Sequence, residues 1–218
     1  MEVDVFDRRD TTDTIISATA YNLTIGLTLC WGFAINWLMV NNIDPVTISK
    51  INPIIFFIGY FASCLFGIYL FKNSSNPLVS FIGYNFVVVP FGLIINVVVS
   101  RYDSAIVSEA IRLTGLVTIG MMCLGSLFPA FFKKIVGALT IALLLVIVVE
   151  LVEAFIFGIH HGIIDWIVVL IFCGYIGYDW GRANQIPKTM DNAIDSAAAL
   201  YMDIINLFLR ILRILGRK

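Results

Sequence analysis

The sequence predicts an all-α integral membrane protein, a bundle of seven transmembrane helices with the C-terminal helix central. Hydrophobic residues make up 60% of the 218 residues and charged residues 13%. A soluble chain of this composition would have too few polar residues to cover its surface. The apolar residues also form runs of about twenty, the length that crosses a bilayer. Because no linker or repeat separates the runs, residues 1–218 are expected to form a single membrane domain.

The predicted spans are the apolar runs themselves. Each is bounded by a short break rich in Asn, Asp, Ser, Pro or Gly, the residues that favour turns. The most polar break, residues 182–192, separates the last two runs. The runs are 16–40, 53–71, 78–100, 106–128, 135–157, 163–181 and 194–216.

Lysine and arginine in the short loops predict the orientation in the membrane. Residues 1–15 lack the basic start of a secretory signal, so the first run is expected to stay as an anchor and the segment to be cytoplasmic. Seven full spans place Arg217 and Lys218 outside, against the charge rule, whereas a re-entrant last helix would return them to the cytoplasm. We predict seven spans. The cytoplasmic side then holds Arg8, Arg9, Lys72, Lys133, Lys134, Arg182 and Lys188, against Lys50 and Arg101 outside.

The last apolar run has one polar stripe. Its polar residues recur at spacings of three and four, so as a helix they share a face: Asp203, Asn206, Arg210, Arg213 and Arg217. Such a helix stands inside a membrane bundle or lies flat at the interface with its arginines in water. A carboxylate in the stripe favours the central position, because a helix lying on anionic lipid gains nothing from it.

Two aspartates flank the polar break, and the residue midway between them, Asp191, lies within it. Asp179 ends the sixth run, and Asp203 lies twenty-four residues later in the seventh. If the two helices form an antiparallel hairpin, the carboxylates meet at the same depth on neighbouring helices. Two carboxylates about 4 Å apart repel by about 4 kcal/mol at an effective dielectric near 20. Near neutral pH the pair would then hold one proton between them, and losing it would turn a clasp into a repulsion.

A different interpretation pairs each aspartate separately, Asp179 with Arg182 and Asp203 with Arg210 or water. With Asn206 nearby, two converging carboxylates also form a transient calcium site, because calcium prefers hard oxygen ligands. Arg182, Arg210, Arg213 and Asn206 are therefore predicted to support the pair.

A second acidic cluster lies near the opposite membrane face. Glu150 and Glu153 share one side of the fifth predicted helix, and His160, His161 and Asp165 follow across a short loop. The cluster is interpreted as an outer vestibule that concentrates cations. Metal binding and plain interfacial solvation are the alternatives. Glu109 and Arg112 are expected to form an ion pair within one helix.

The composition argues against two other classes of function. The formal net charge is −1, so the chain lacks the basic patch that binding to nucleic acid requires. No nucleophile motif, glycine-rich phosphate loop or HExxH motif is present, so we expect no enzymatic activity and no cofactor.

The C-terminal residues resemble a known family. Tyr178 and Asp179, together with ALYMDIINLFLRILRILG at residues 199–216, closely resemble the signature of the Bax-inhibitor family, the transmembrane Bax inhibitor motif proteins, and especially its bacterial members. The resemblance implies a seven-helix fold around the last helix, in a bacterial plasma membrane. It also implies a pH-sensitive calcium leak in which Asp179 and Asp203 sense protons. The bacterial pattern includes an arginine on the second helix that pairs with the first aspartate. Residues 53–71 contain no arginine, so Arg112, Arg182 or proton sharing alone must take its place.

Three functions follow from this sequence. The first is a passive calcium leak that closes when the aspartate pair is protonated. The second is a calcium/proton exchanger that uses the same pair in an alternating-access cycle. The third is a membrane protein without transport activity that binds a membrane partner and regulates a protease or a stress pathway.

Overall fold

The computed structural model describes residues 14–153, 156, 158 and 161–217. Over this part of the chain every regular element is helical, which confirms the predicted all-α class. Arg8, Arg9, most of the predicted cytoplasmic segment, His160 and Lys218 lie outside the described residues. The helices are α1 (Ala18–Asn42), α2 (Pro45–Ser49), α3 (Pro53–Asn73), α4 (Pro77–Val99), α5 (Ser104–Leu127), α6 (Pro129–Val152), α7 (Gly162–Ala183) and α8 (Met190–Leu215).

Three helices begin with the same two-residue signal. Asp44, Asn52 and Asn76 are the N-caps of α2, α3 and α4, and each is followed by a proline at the first helical position. Their side-chain oxygens accept backbone N–H groups at 2.9, 2.9 and 3.0 Å. The cap satisfies an N–H that the helix leaves unpaired, and proline has no N–H to satisfy. These dipeptides therefore set where the helices begin.

Two predicted boundaries are wrong. Residues 129–134 were expected to form a break, but Pro129 opens α6 and both following lysines lie within the helix, because proline fits the first turn. The last helix was expected from residue 194, but α8 begins at Met190. Asp191 is consequently helical and not part of the turn. A short helix, α2, also lies in the break between the first two spans.

Six of the described helices are long and apolar enough to cross a membrane, namely α1, α3, α4, α5, α6 and α7. Many of their large apolar side chains are exposed, such as Ile54, Leu65 and Leu145. An exposed apolar surface of this extent suits lipid contact. The protein is therefore a multi-span membrane protein. The eighth helix falls outside the six because it carries Asp191, Asp195, Asp203, Arg210 and Arg213.

The chain separates into two compact units. One comprises Met1–Arg101 with Gln185–Tyr201, and the other comprises Tyr102–Asn184 with Met202–Lys218. In the first unit α1 and α3 pack on α4, and in the second α5 and α6 pack on α7. Helix α8 contributes its first half to one unit and its second half to the other.

Helix α8 is covered along its length although it is the most polar of the long helices. No residue between Asp191 and Leu215 is exposed. In the first unit Tyr201 packs its ring against Tyr84 and Phe91, with centroids 5.5 and 6.2 Å apart, and its hydroxyl accepts a hydrogen bond from Asn36 at 2.6 Å. On the polar stripe, Asp203 is buried and the Arg210 side chain is 18% exposed, whereas that of Arg213 is 41% exposed.

Small residues allow close contact between α5 and α7. A Cβ added to Gly125 would lie 2.3 Å from the carbonyl oxygen of Gly177. The backbones of α5 and α7 therefore touch at this point, and a larger residue in place of either glycine would displace its neighbours. Such contacts are common where helices pack in membranes. Gly120, on the same helix, has nothing within 4 Å of such a Cβ.

We predict that Gly125→Ala lowers the free energy of unfolding by about 1–3 kcal/mol, because the methyl group must push α5 and α7 apart. Gly120→Ala is the matched control, and it should leave stability unchanged or slightly raised, since alanine favours helix over glycine. Thermal unfolding of the two variants in detergent measures the difference. Equal melting temperatures would contradict the close packing.

Candidate functional site

The two aspartates of the C-terminal signature lie together in the second unit. Asp179 is on α7 and half-buried, and Asp203 is on α8 and 7% exposed. Their carboxyl groups are within hydrogen-bonding contact. Ionised carboxylates only accept hydrogen bonds, so this contact requires one proton between the two groups. The structure thus brings the predicted pair together.

The pair receives little help from other donors. Asp203 Oδ2 is buried and accepts no hydrogen bond from an N–H or hydroxyl group of the described residues. A buried, unsatisfied carboxyl oxygen costs free energy, and such atoms concentrate where a proton, water or ion is taken up. The pair is therefore only partly satisfied by the protein around it.

Arg182 supplies the positive charge nearest the pair. It lies three residues after Asp179 on α7 and interacts electrostatically with it. Its Nη1 donates a 3.4 Å hydrogen bond to the Tyr178 hydroxyl, and its guanidinium lies 6.0 Å from the centroid of that ring. Arg182 thus stands beside Asp179, as the sequence predicted for a supporting residue.

The other three predicted supporting residues lie elsewhere. Asn206 donates to the Met202 carbonyl at 2.8 Å, within α8. Arg210 and Arg213 bind carboxylates at the ends of α6 and α7. Arg210 follows Asp203 by seven residues, which is about 10 Å along a helix, so the same face does not mean the same depth. The prediction that these arginines support the pair is wrong.

A network of ion pairs replaces the predicted acidic vestibule. The guanidinium of Arg210 binds both oxygens of Glu150, the Oε2 contact being 2.8 Å, and reaches Asp165 at 3.0 Å. Asp165 is fully buried and also binds Arg213 at 3.2 Å and Arg217 at 2.5 Å. Buried carboxylates need compensating charge. The arginines at the end of α8 and just after it supply that charge, and they bind this part of the chain to α6 and α7.

Glu153, the other glutamate of the predicted vestibule, contacts His161. Its Oε1 lies 2.5 Å from His161 Nδ1, and its Oε2 accepts the His161 backbone N–H at 3.2 Å. The contact holds the end of α6 close to the start of α7. Among the described residues no group of three His, Cys, Asp or Glu side chains could hold a metal ion.

The sequence interpretation missed a second carboxylate pair, in the first unit. Asp191 and Asp195 are four residues apart on α8, and both are buried. Ser80 of α4 donates to Asp191 Oδ1 at 2.7 Å, and Asp195 lies close to both groups. The spacing of four residues between Asp191 and Asp195 is visible in the sequence, but the prediction places Asp191 in the turn. The neighbouring Ser196 hydroxyl lies 3.2 Å from the Tyr21 hydroxyl.

The arginine network generates a stability prediction. Arg210→Gln should lower the free energy of unfolding by about 2–4 kcal/mol, because it leaves Glu150 and the buried Asp165 less compensated. Arg112→Gln is the control, because its ion pair with Glu109 has side chains 69% and 41% exposed and should cost less than about 1 kcal/mol. Melting temperatures in detergent test the comparison. Similar losses in both variants would show that the network contributes little.

Comparisons with known proteins identify the family. Residues 14–218 match the family model described as inhibitor of apoptosis-promoting Bax1. A BI1-like protein of Arabidopsis thaliana is 57% identical over 47 residues, which cover 21% of this chain and 18% of the relative.

Bacterial relatives match over longer stretches. An uncharacterized membrane protein of Vibrio cholerae is 30% identical over 51% of this chain and 49% of its own length. An uncharacterized membrane protein of Streptococcus pyogenes is 29% identical over 58% of each chain. The chain thus spans about half the length of these two relatives. Because the family model covers nearly the whole sequence, the chain belongs to the Bax inhibitor-1 family.

Proposed function

We propose that this protein is a pH-sensitive calcium leak of a bacterial plasma membrane, gated by Asp179 and Asp203. The observation that carries the proposal is the hydrogen-bonding contact between these two carboxyl groups on different helices. Calcium is the cargo, and the proposal requires neither a resident cofactor nor a catalytic group.

The proposal places seven spans in the membrane, the six apolar helices and α8, with α8 central. The covered surface of α8 supports this arrangement, because a helix lying flat at the interface would expose its polar face to water. The lysines and arginines of the loops favour a cytoplasmic N-terminus. Charged residues on a membrane helix that face protein are typical of ion pathways and proton relays.

In the proposed closed state one proton lies between the carboxyl groups and holds α7 to α8. As the pH rises the proton leaves, and two ionised carboxylates at this separation repel each other. The helices then loosen, and the exposed oxygens offer calcium the hard ligands it prefers. Because protonation closes the path, the calcium flux rises as the pH rises.

Arg182 is the residue that we propose in place of the missing second-helix arginine. It is already beside Asp179, so it would stabilise that carboxylate once the proton has left. Arg112, the other candidate, forms an exposed ion pair with Glu109 at 2.8 Å and has no comparable contact with the pair.

We predict that calcium entry into dye-loaded liposomes containing the purified protein rises between about pH 6 and pH 8, by at most tenfold per unit if one proton controls the gate. Asp179→Asn, Asp203→Asn and the double variant should lose this pH response, because asparagine cannot ionise. Glu109→Gln, which removes a membrane-helix carboxylate outside the pair, should retain it.

Two other outcomes of the flux measurement would favour a different function. Absence of flux above empty liposomes at every pH, from protein with an intact thermal transition, would contradict the leak and favour a membrane protein that acts through a partner. An imposed proton gradient that drives calcium uphill would identify an exchanger that uses the same pair.

A further inference from the structure

An apolar cavity lies in the first unit, at the opposite end of α4 from Ser80 and the Asp191 carboxylate. Its volume is about 340 Å³, and its walls come from α2, the start of α3 and the end of α4. Ile48, Phe56 and Phe57 line one part, and Ile94 and Val97 line another. Because α3 begins and α4 ends here, the cavity lies where two apolar spans reach the membrane boundary.

Arg101 is the charged residue of the cavity wall. It follows the end of α4, its backbone N–H is bonded to the Val98 carbonyl at 3.1 Å, and its side chain is exposed. None of the ion pairs found among the described residues involves Arg101. Within the described part of the chain, the apolar cavity therefore carries at its rim a cation that forms no ion pair.

We propose that this cavity binds an anionic phospholipid, with one acyl chain against the apolar walls and the phosphate on Arg101. Its volume is at the low end of the roughly 300–1,000 Å³ typical of ligand pockets, which suits a single chain. The guanidinium offers several N–H donors in a planar fork that matches phosphate oxygens. The membrane supplies such a ligand at this depth, with its chains toward the bilayer and its headgroup at the boundary.

The charge on Arg101 determines which phospholipids bind best. Phosphatidylglycerol brings a phosphate without a second charge, whereas phosphatidylethanolamine also carries an ammonium group that the guanidinium repels. Both lipids offer the same chain to the apolar walls. The site should therefore bind both lipids and prefer the anionic one, and the preference should depend on Arg101.

Native mass spectrometry of the full chain, with either lipid added to the detergent, tests the proposal. Wild-type protein should retain phosphatidylglycerol better than phosphatidylethanolamine, and Arg101→Gln should weaken the retention of phosphatidylglycerol roughly five- to tenfold, the loss expected for one solvent-exposed hydrogen bond. Val97→Trp, which fills the cavity and keeps the charge, should reduce retention of both lipids. Arg112→Gln, at a cation already paired with Glu109, should match wild type.

Several results would overturn the proposal. Equal retention of the two lipids by wild type would remove the role of charge, and unchanged retention by Arg101→Gln would remove the role of this residue. Unchanged retention by Val97→Trp would show that the chain lies elsewhere. Displacement of the lipid by inorganic phosphate at millimolar concentration, through simple competition, would identify an anion site instead of a lipid site. A thermal melt of each variant separates loss of binding from loss of fold.

Discussion

The free-energy cost of charge in apolar surroundings governs helix α8. The helix carries three buried carboxylates and two partly buried guanidinium groups, and an uncompensated charge in apolar surroundings costs several kcal/mol. Each group must therefore find a partner on a neighbouring helix, and those partners fix the position of α8 in each unit. The groups are Asp191, Asp195, Asp203, Arg210 and Arg213.

The charged groups of α8 have two kinds of partner, groups of opposite charge and another carboxyl group. The first kind gives a fixed contact and the second a variable one. Arg210 meets Glu150 and Asp165 through a guanidinium, which keeps its charge at any physiological pH, so that cluster is held permanently. Asp203 meets another carboxyl group, Asp179, and a proton is what makes the contact attractive. A proton can leave as the pH changes. Within the second unit the arginine network therefore suits an anchor, and the aspartate pair suits a switch.

Much of the fold could be predicted from the sequence, because apolar length and turn residues act locally. The predicted helix boundaries were wrong where the same residue type occurs both at the ends and at the beginnings of helices. Pro129 ends some helices and begins others, and here it begins α6. The Asp179–Asp203 contact was predicted from a hairpin with Asp191 at its midpoint. The contact is present although Asp191 is helical and the turn between α7 and α8 lies nearer to Asp179. The partners of Arg210 could not be predicted in this way. The spacing of residues shows which face of a helix they share, but a partner at the same depth comes from another part of the chain.

The resemblance to bacterial members of the family implies an arginine on the second helix, and residues 53–71 of this chain contain none. An arginine there could attract an aspartate on another helix. Arg182 lies on the same helix as Asp179, so the two residues move together. Arg182 can therefore balance the charge of that carboxylate, whereas the contact between Asp179 and Asp203 joins α7 to α8.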